Sequence, residues 1–82
     1  DGRFVDSLGW VYFQLGKHKT ALQLLARAAE LSPSDAEIRY HLGRAFETLG
    51  NVQAARVEYT KTLWLDPVFA GAKCRIEKPD LE

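Results

Sequence analysis

The sequence predicts an all-α protein of two helix-turn-helix repeats followed by a C-terminal capping helix, and three observations predict it. The segment LGWVYFQLG, Leu8 to Gly16, returns 34 residues later as LGRAFETLG, Leu42 to Gly50; a fixed period of this length is the signature of stacked supersecondary units. The register continues past that window without a gap, with Tyr12 over Phe46, Ala21 over Ala55, Leu31 over Leu65 and Pro33 over Pro67. Within each unit the apolar residues recur at helical rather than strand spacing, and a glycine stands where the first helix has to stop.

The elements follow in order. Helices are expected over Arg3 to Leu15 and Lys19 to Leu31 in the first unit, and over Asp35 to Leu49 and Val52 to Leu65 in the second. Gly16 and Gly50 end the first helix of each, because glycine takes the left-handed conformation that satisfies the last carbonyls. The segment SDAE, Ser34 to Glu37, has the form of a capping box, and Asp66 places a carboxylate ahead of a first-turn proline, Pro67. A third copy then begins and fails. Ala70 aligns with Ala36 and Ile76 with Leu42, but Glu77 stands where glycine is expected. A short helix over Val68 to Glu77 is therefore expected to cover the open end of the second unit, with Lys78 and Pro79 ending it in a frayed tail. The division is repeat one 2–35, repeat two 36–69, capping helix and tail 70–82, together a single domain.

Composition bounds the function. The hydrophobic fraction of 46% and charged fraction of 27% are those of a folded chain. Eleven basic and eleven acidic residues cancel, which removes the electrostatic footprint of a nucleic-acid binder or of a protein held on anionic membrane. One cysteine, Cys74, excludes an intramolecular disulfide and leaves the compartment open. The absence of any methionine leads us to expect a fragment or processed form of something longer.

Catalysis needs a nucleophile, a base and an orienting group in one pocket. The candidates, Cys74, His18 and His41, fall in the cap, in the loop GKHKT and on a helix flank, and are not expected to converge. No motif calls for a metal or a cofactor, so the chain is not expected to be an enzyme. Arg27, Glu30, Arg56 and Glu58 read as solvated helix faces.

The first helix of each unit is more informative. At about 100° per residue, Val5, Leu8, Gly9, Val11, Tyr12 and Leu15 form one inward stripe, while Trp10 falls about 160° from its centre with Asp6 and Phe13 beside it. The same projection turns Ile38, Leu42, Ala45, Phe46 and Leu49 inward and Tyr40, Arg44 and Glu47 outward. Trp64 is the other conspicuous residue, because its counterpart one repeat earlier is Glu30. It either packs under the capping helix or serves self-association.

A 34-residue unit with Leu-Gly, an aromatic residue three positions on, alanine in the second helix and proline at its end resembles the tetratricopeptide repeat. The resemblance implies a right-handed α-solenoid fragment in which Gly9 with Ala21, and Gly43 with Ala55, mark the closest crossing of paired helices, with Tyr12 and Phe46 packed nearby. Two departures stand out: the tryptophan that opens the family signature is replaced by Val5 and Arg39, and the late small residue is Ala28 in one unit but Thr62 in the other. By the same resemblance the outer faces of the first helices line a concave groove that holds a peptide or helix of a partner protein, here Asp6, Trp10, Phe13, Tyr40, Arg44 and Glu47, with Lys73 and Cys74 at its edge. Members that clamp the terminal carboxylate of chaperones use lysine and asparagine at groove positions where this chain has Asp6 and Trp10. An apolar segment or amphipathic helix with a basic residue for Asp6 or Glu47 is expected instead. The alternative is a structural role, with the aromatic face packed on other repeats or on a second subunit.

Overall fold

The computed structural model describes residues 1–77, and the expected tail over 78–82 lies outside the described residues. The helices are α1 (Gly2–Gln14), α2 (His18–Leu31), α3 (Ala36–Thr48), α4 (Val52–Leu65) and α5 (Ala70–Glu77). Packing is sequential: α1 pairs with α2 and α3 with α4, α2 covers α3, and α5 lies on α4.

Both turns inside the units are built alike. Gly16 and Gly50 have φ of 84° and 89°, the left-handed region, and a Cβ there would meet nothing within 4 Å; the glycine is required by backbone conformation and not by crowding. Lys17 N–H reaches the Tyr12 carbonyl at 3.0 Å and Gly16 N–H the Phe13 carbonyl at 3.0 Å, with the same pair of bonds from Asn51 to Phe46 and Gly50 to Glu47. These are the paired closing bonds of a Schellman motif.

Helix starts differ from expectation in four places, the first being α1, which begins at Gly2 rather than Arg3 behind the Asp1 cap. Asp35, not Ser34, caps α3, its carboxylate accepting from the N–H groups of Glu37 and Ile38 at 3.0 and 3.2 Å. His18 opens α2 instead of lying in a loop. Asp66 accepts from Val68 N–H within the turn, so Pro67 and Val68 stay outside α5, and the helix begins at Ala70 after Phe69.

Small residues pack the interface between the units. Ala21, Leu25, Ala28, Ala29, Ile38, Leu42 and Ala45 form one buried cluster, and Ala55, Tyr59 and Ala72 a second. Phe46 packs against both. Gly9 and Gly43 are buried at the helix crossings, yet the side chains that press on them are Leu25 and Tyr59 rather than the alanines: a Cβ at Gly43 would stand 2.6 Å from the Tyr59 ring.

The departures from the repeat pattern have local explanations. Arg39 donates to Glu58 at 3.2 Å and to the Pro33 carbonyl at 3.2 Å. Glu58 is buried, and this corrects its reading as part of a solvated face: Arg39 supplies the partner that makes its burial tolerable. Thr62, at the small position, is fully buried and donates its hydroxyl to the Glu58 carbonyl at 2.9 Å, so the extra polar atom is satisfied.

The inward stripe of α1 needs a second correction. Leu8, Val11 and Leu15 are 43%, 51% and 66% exposed, whereas Leu42 and Ala45, one repeat later, are buried. The amphipathic pattern is the same in both helices, but α3 is covered by α2, and no described helix covers that side of α1. Leu49, the C-cap of α3, is likewise partly exposed.

Candidate functional site

The outer faces of α1 and α3 meet in a row of stacked rings. Phe13 stacks on Trp10 with centroids 4.6 Å apart and planes 5° from parallel, and Trp10 stacks on His41 at 4.1 Å and 17°. His18, at the start of α2, extends the row from Phe13 at 4.8 Å. The Arg44 guanidinium lies 6.0 Å from the Trp10 ring centre and 5.6 Å from that of Phe13, within reach of the negative ring faces. Trp10, Phe13 and Arg44 are each half-buried, so an edge of the shelf remains open to solvent.

Asp6 takes a different position from the other five. It is buried beneath the shelf and accepts a hydrogen bond from His41 Nδ1 at 2.8 Å; an ionised carboxylate offers only acceptors, so His41 is the donor. The bond orients the imidazole whose face carries Trp10. Trp10, Asp6 and His41, with Arg3, Ser7 and Glu37, line a cleft of about 270 Å³ at the N-terminal ends of α1 and α3.

Tyr40 and Glu47 are drawn toward α4 and α5. Tyr40 packs on Phe69 at 5.0 Å and on Tyr59 at 5.8 Å between ring centres, and its ring presses on Gly71, where a Cβ would stand 2.8 Å away. Glu47 accepts from the Tyr59 hydroxyl at 2.5 Å and from Arg75 Nη1 at 3.1 Å through both oxygens. Lys73 and Cys74 are exposed on α5. The six outward residues thus divide into an open shelf of Trp10, Phe13 and Arg44, a buried Asp6 that holds it, and a Tyr40 and Glu47 pair that ties α3 to the cap.

Two members of the shelf, His41 and His18, were not among the expected groove residues. A signal existed for His41, since Glu37, His41 and Arg44 fall at i, i+4 and i+7 and so share one helix face. His18 enters only because α2 starts one residue earlier than expected.

Burial, followed by the hydrogen bond to the Glu47 carboxylate, pushes the Tyr59 hydroxyl well above the ordinary phenol range. A group whose folded value is raised contributes its full stability below the unfolded value, about 10 for tyrosine, and loses that contribution as pH rises beyond it. Above pH about 10 the unfolded chain releases this proton while the folded chain keeps it, so Tyr59 lowers stability by about 1.4 kcal/mol per pH unit. Denaturant titrations of the wild type and Tyr59→Phe from about pH 8 to 11 should therefore converge as pH rises. Parallel curves would contradict a Tyr59 hydroxyl kept protonated by burial and by Glu47.

A tetratricopeptide repeat family model matches residues 7–63, most of both units. The chain belongs to the tetratricopeptide repeat family. No curated protein matches it. Tetratricopeptide repeats are typically non-catalytic modules that bind other proteins, and the helical-repeat architecture seen here is that of the family. Among the described residues of this tetratricopeptide chain, no group of three or more histidine, cysteine, aspartate or glutamate side chains is placed to hold a metal ion, and no helix is long and apolar enough to cross a membrane.

Proposed function

We propose that the chain is a non-enzymatic adaptor that holds a segment of a partner protein on the face shared by α1 and α3. The observation that carries this reading is the Trp10, Phe13 and His41 stack with the Arg44 guanidinium beside it. Aromatic side chains with arginine are the residues that anchor binding surfaces, because they bring large rigid contact area and a directional charge.

The charge of the segment follows from which groups are already engaged. Asp6 is buried against His41, and Glu47 already carries Tyr59 and Arg75, whereas Arg44 has no such partner. No carboxylate among the described residues lies within 4 Å of the Arg44 guanidinium. The segment on this reading presents an apolar or aromatic side chain to the Trp10 and Phe13 shelf and an acidic one to Arg44.

Selection of binders from a random peptide library, followed by titration of the enriched peptides, tests this. Enriched peptides should pair an acidic with an apolar residue, and both Trp10→Ala and Arg44→Glu should weaken them at least about tenfold, the loss of one anchor contact. Enriched peptides that bind both variants as tightly as the wild type would place the site elsewhere.

A second reading, that this segment is one stretch of a longer array, is favoured by a different observation. Phe4, Leu8, Val11 and Leu15 are all exposed along one side of α1, the side on which α3 receives α2. A helix of another repeat seated there would continue the stack.

A further inference from the structure

The outer surface of α4 and the turn that follows it carry exposed apolar residues that the repeat architecture does not require. Val57, Trp64 and Val68 are 51%, 80% and 82% exposed. Their counterparts 34 residues earlier are Gln23, Glu30 and Ser34, also exposed. The fold thus places these three positions in solvent in both units, and the first unit fills them with polar residues. The expectation that Trp64 packs under the capping helix is overturned: Leu63 packs against Ala55, Tyr59 and Ala72, and Trp64 points away.

Two shallow hollows flank the Trp64 ring. One, of about 320 Å³, is lined by Leu63, Pro67 and Ile76, and the other, of about 310 Å³, by Gln53, Arg56, Val57 and Lys61. Thr60 borders both. A protruding ring and a receiving hollow on the same face are what a two-fold contact needs, since each copy must supply both halves.

We infer that this face pairs with a second copy of the chain, each Trp64 entering the partner's hollow over Val57. A two-fold axis near Thr60 and Lys61 sets the α4 helices antiparallel and brings Trp64 opposite Val57 of the other copy. The hollow suits an aromatic ring, with an apolar floor at Val57 and cations at Arg56 and Lys61, which favour the face of an indole above other rings. The charges agree with this register. Arg56 meets the C-terminal end of the opposite α4, where carbonyls and Asp66 supply negative charge. Lys61, close to the axis, has its own Glu58 at 3.6 Å. Two tryptophans and their valine surrounds bury roughly 1,000 Å² in total, at the low end of specific interfaces, so the dimer is weak and depends on concentration.

Sedimentation equilibrium of the 82-residue chain from about 10 µM to about 1 mM spans the affinities expected of such a contact. The wild type should pass from monomer to dimer. Trp64→Glu, which restores the residue type of Glu30, should raise the dimer dissociation constant at least about tenfold with little change in the melting temperature of the monomer, because the residue is 80% exposed within the chain. Arg56→Glu should raise it about threefold to tenfold. In a mixture of labelled and unlabelled chains, nuclear Overhauser contacts should run from the Trp64 ring of one copy to the Val57 methyls of the other. A wild type that stays monomeric throughout overturns the inference, whether Trp64 emission reports a ring in water, left for a different protein, or a ring already covered by the chain's own residues. A dimer unaffected by Trp64→Glu overturns it as well.

Discussion

Gly43→Leu should abolish the cooperative thermal transition of this protein, and Gly43→Ala should lower its midpoint by about 10 °C. A Cβ at this position would stand 2.6 and 2.8 Å from two carbons of the Tyr59 ring. The ring has no room to retreat, being 2% exposed and tethered by its hydroxyl to Glu47. Alanine gains about 1 kcal/mol in helix propensity over glycine, but overpacking a core costs about 1–3 kcal/mol. A contact this short on a tethered ring belongs in the upper part of that range, so the net loss is about 1–2 kcal/mol, which corresponds to about 4–16 °C in a domain of this size. Leucine has no position beside Tyr59 that keeps α3 and α4 together. Gly9→Ala should be milder, because its nearest neighbours, Cδ2 and Cγ of Leu25, stand 3.0 Å away rather than 2.6 Å. Circular dichroism melts of the three variants check the ranking; a melting curve for Gly43→Leu like that of the wild type would refute the close crossing.

Asp6→Ala should cost about 2 kcal/mol, a fall of about 8–16 °C in midpoint, and should also disorder the Trp10 shelf. The carboxylate is buried and its 2.8 Å bond from His41 crosses from α1 to α3. Without it the imidazole keeps an unpaired donor at a site where its side chain is only 12% exposed, and a buried donor left without an acceptor costs more than the bond itself contributes. The ring then turns to find water, and Trp10 loses the face it stacks on. Asp6→Asn retains an acceptor and should recover most of the stability. Melting combined with Trp10 fluorescence, recorded in a Trp64→Phe background, separates the two effects. An Asp6→Ala protein with wild-type stability and emission would mean that the bond positions nothing.

These two residues also show how differently the sequence speaks about fold and about site. Gly43 was legible because a repeat compares a position with its own copy, and Gly9 with Gly43 marks a place where bulk is not tolerated. Asp6 was not. Helical projection put it on the outer face beside Trp10, and nothing in its neighbourhood announces a partner 35 residues away in sequence. Glu58 failed for the same reason, its buried pairing with Arg39 lying across two helices. Projection gives the direction of a side chain about its own helix, but whether that direction leads to solvent depends on what else is there. The exposed stripe of α1 makes the same point in reverse: Leu8 and Val11 have the right pattern and no helix to meet it.

What the amino-acid sequence determined by itself was everything that depends on local geometry and period. The helices, the left-handed glycines at Gly16 and Gly50, the tight positions at Gly9 and Gly43 and the outward setting of Trp10 all follow from short-range sterics and from amphipathic faces that repeat. Tertiary structure alone decided which charged and aromatic groups are engaged with one another. Asp6 is held by His41, Glu47 by Tyr59 and Arg75, and Trp10 lies between Phe13 and His41, while Trp64 is left in solvent. The physical reason is range: the backbone reads its conformation from neighbours a few residues away, whereas hydrogen bonds and ring stacks between helices depend on distances that exist only after the helices have packed.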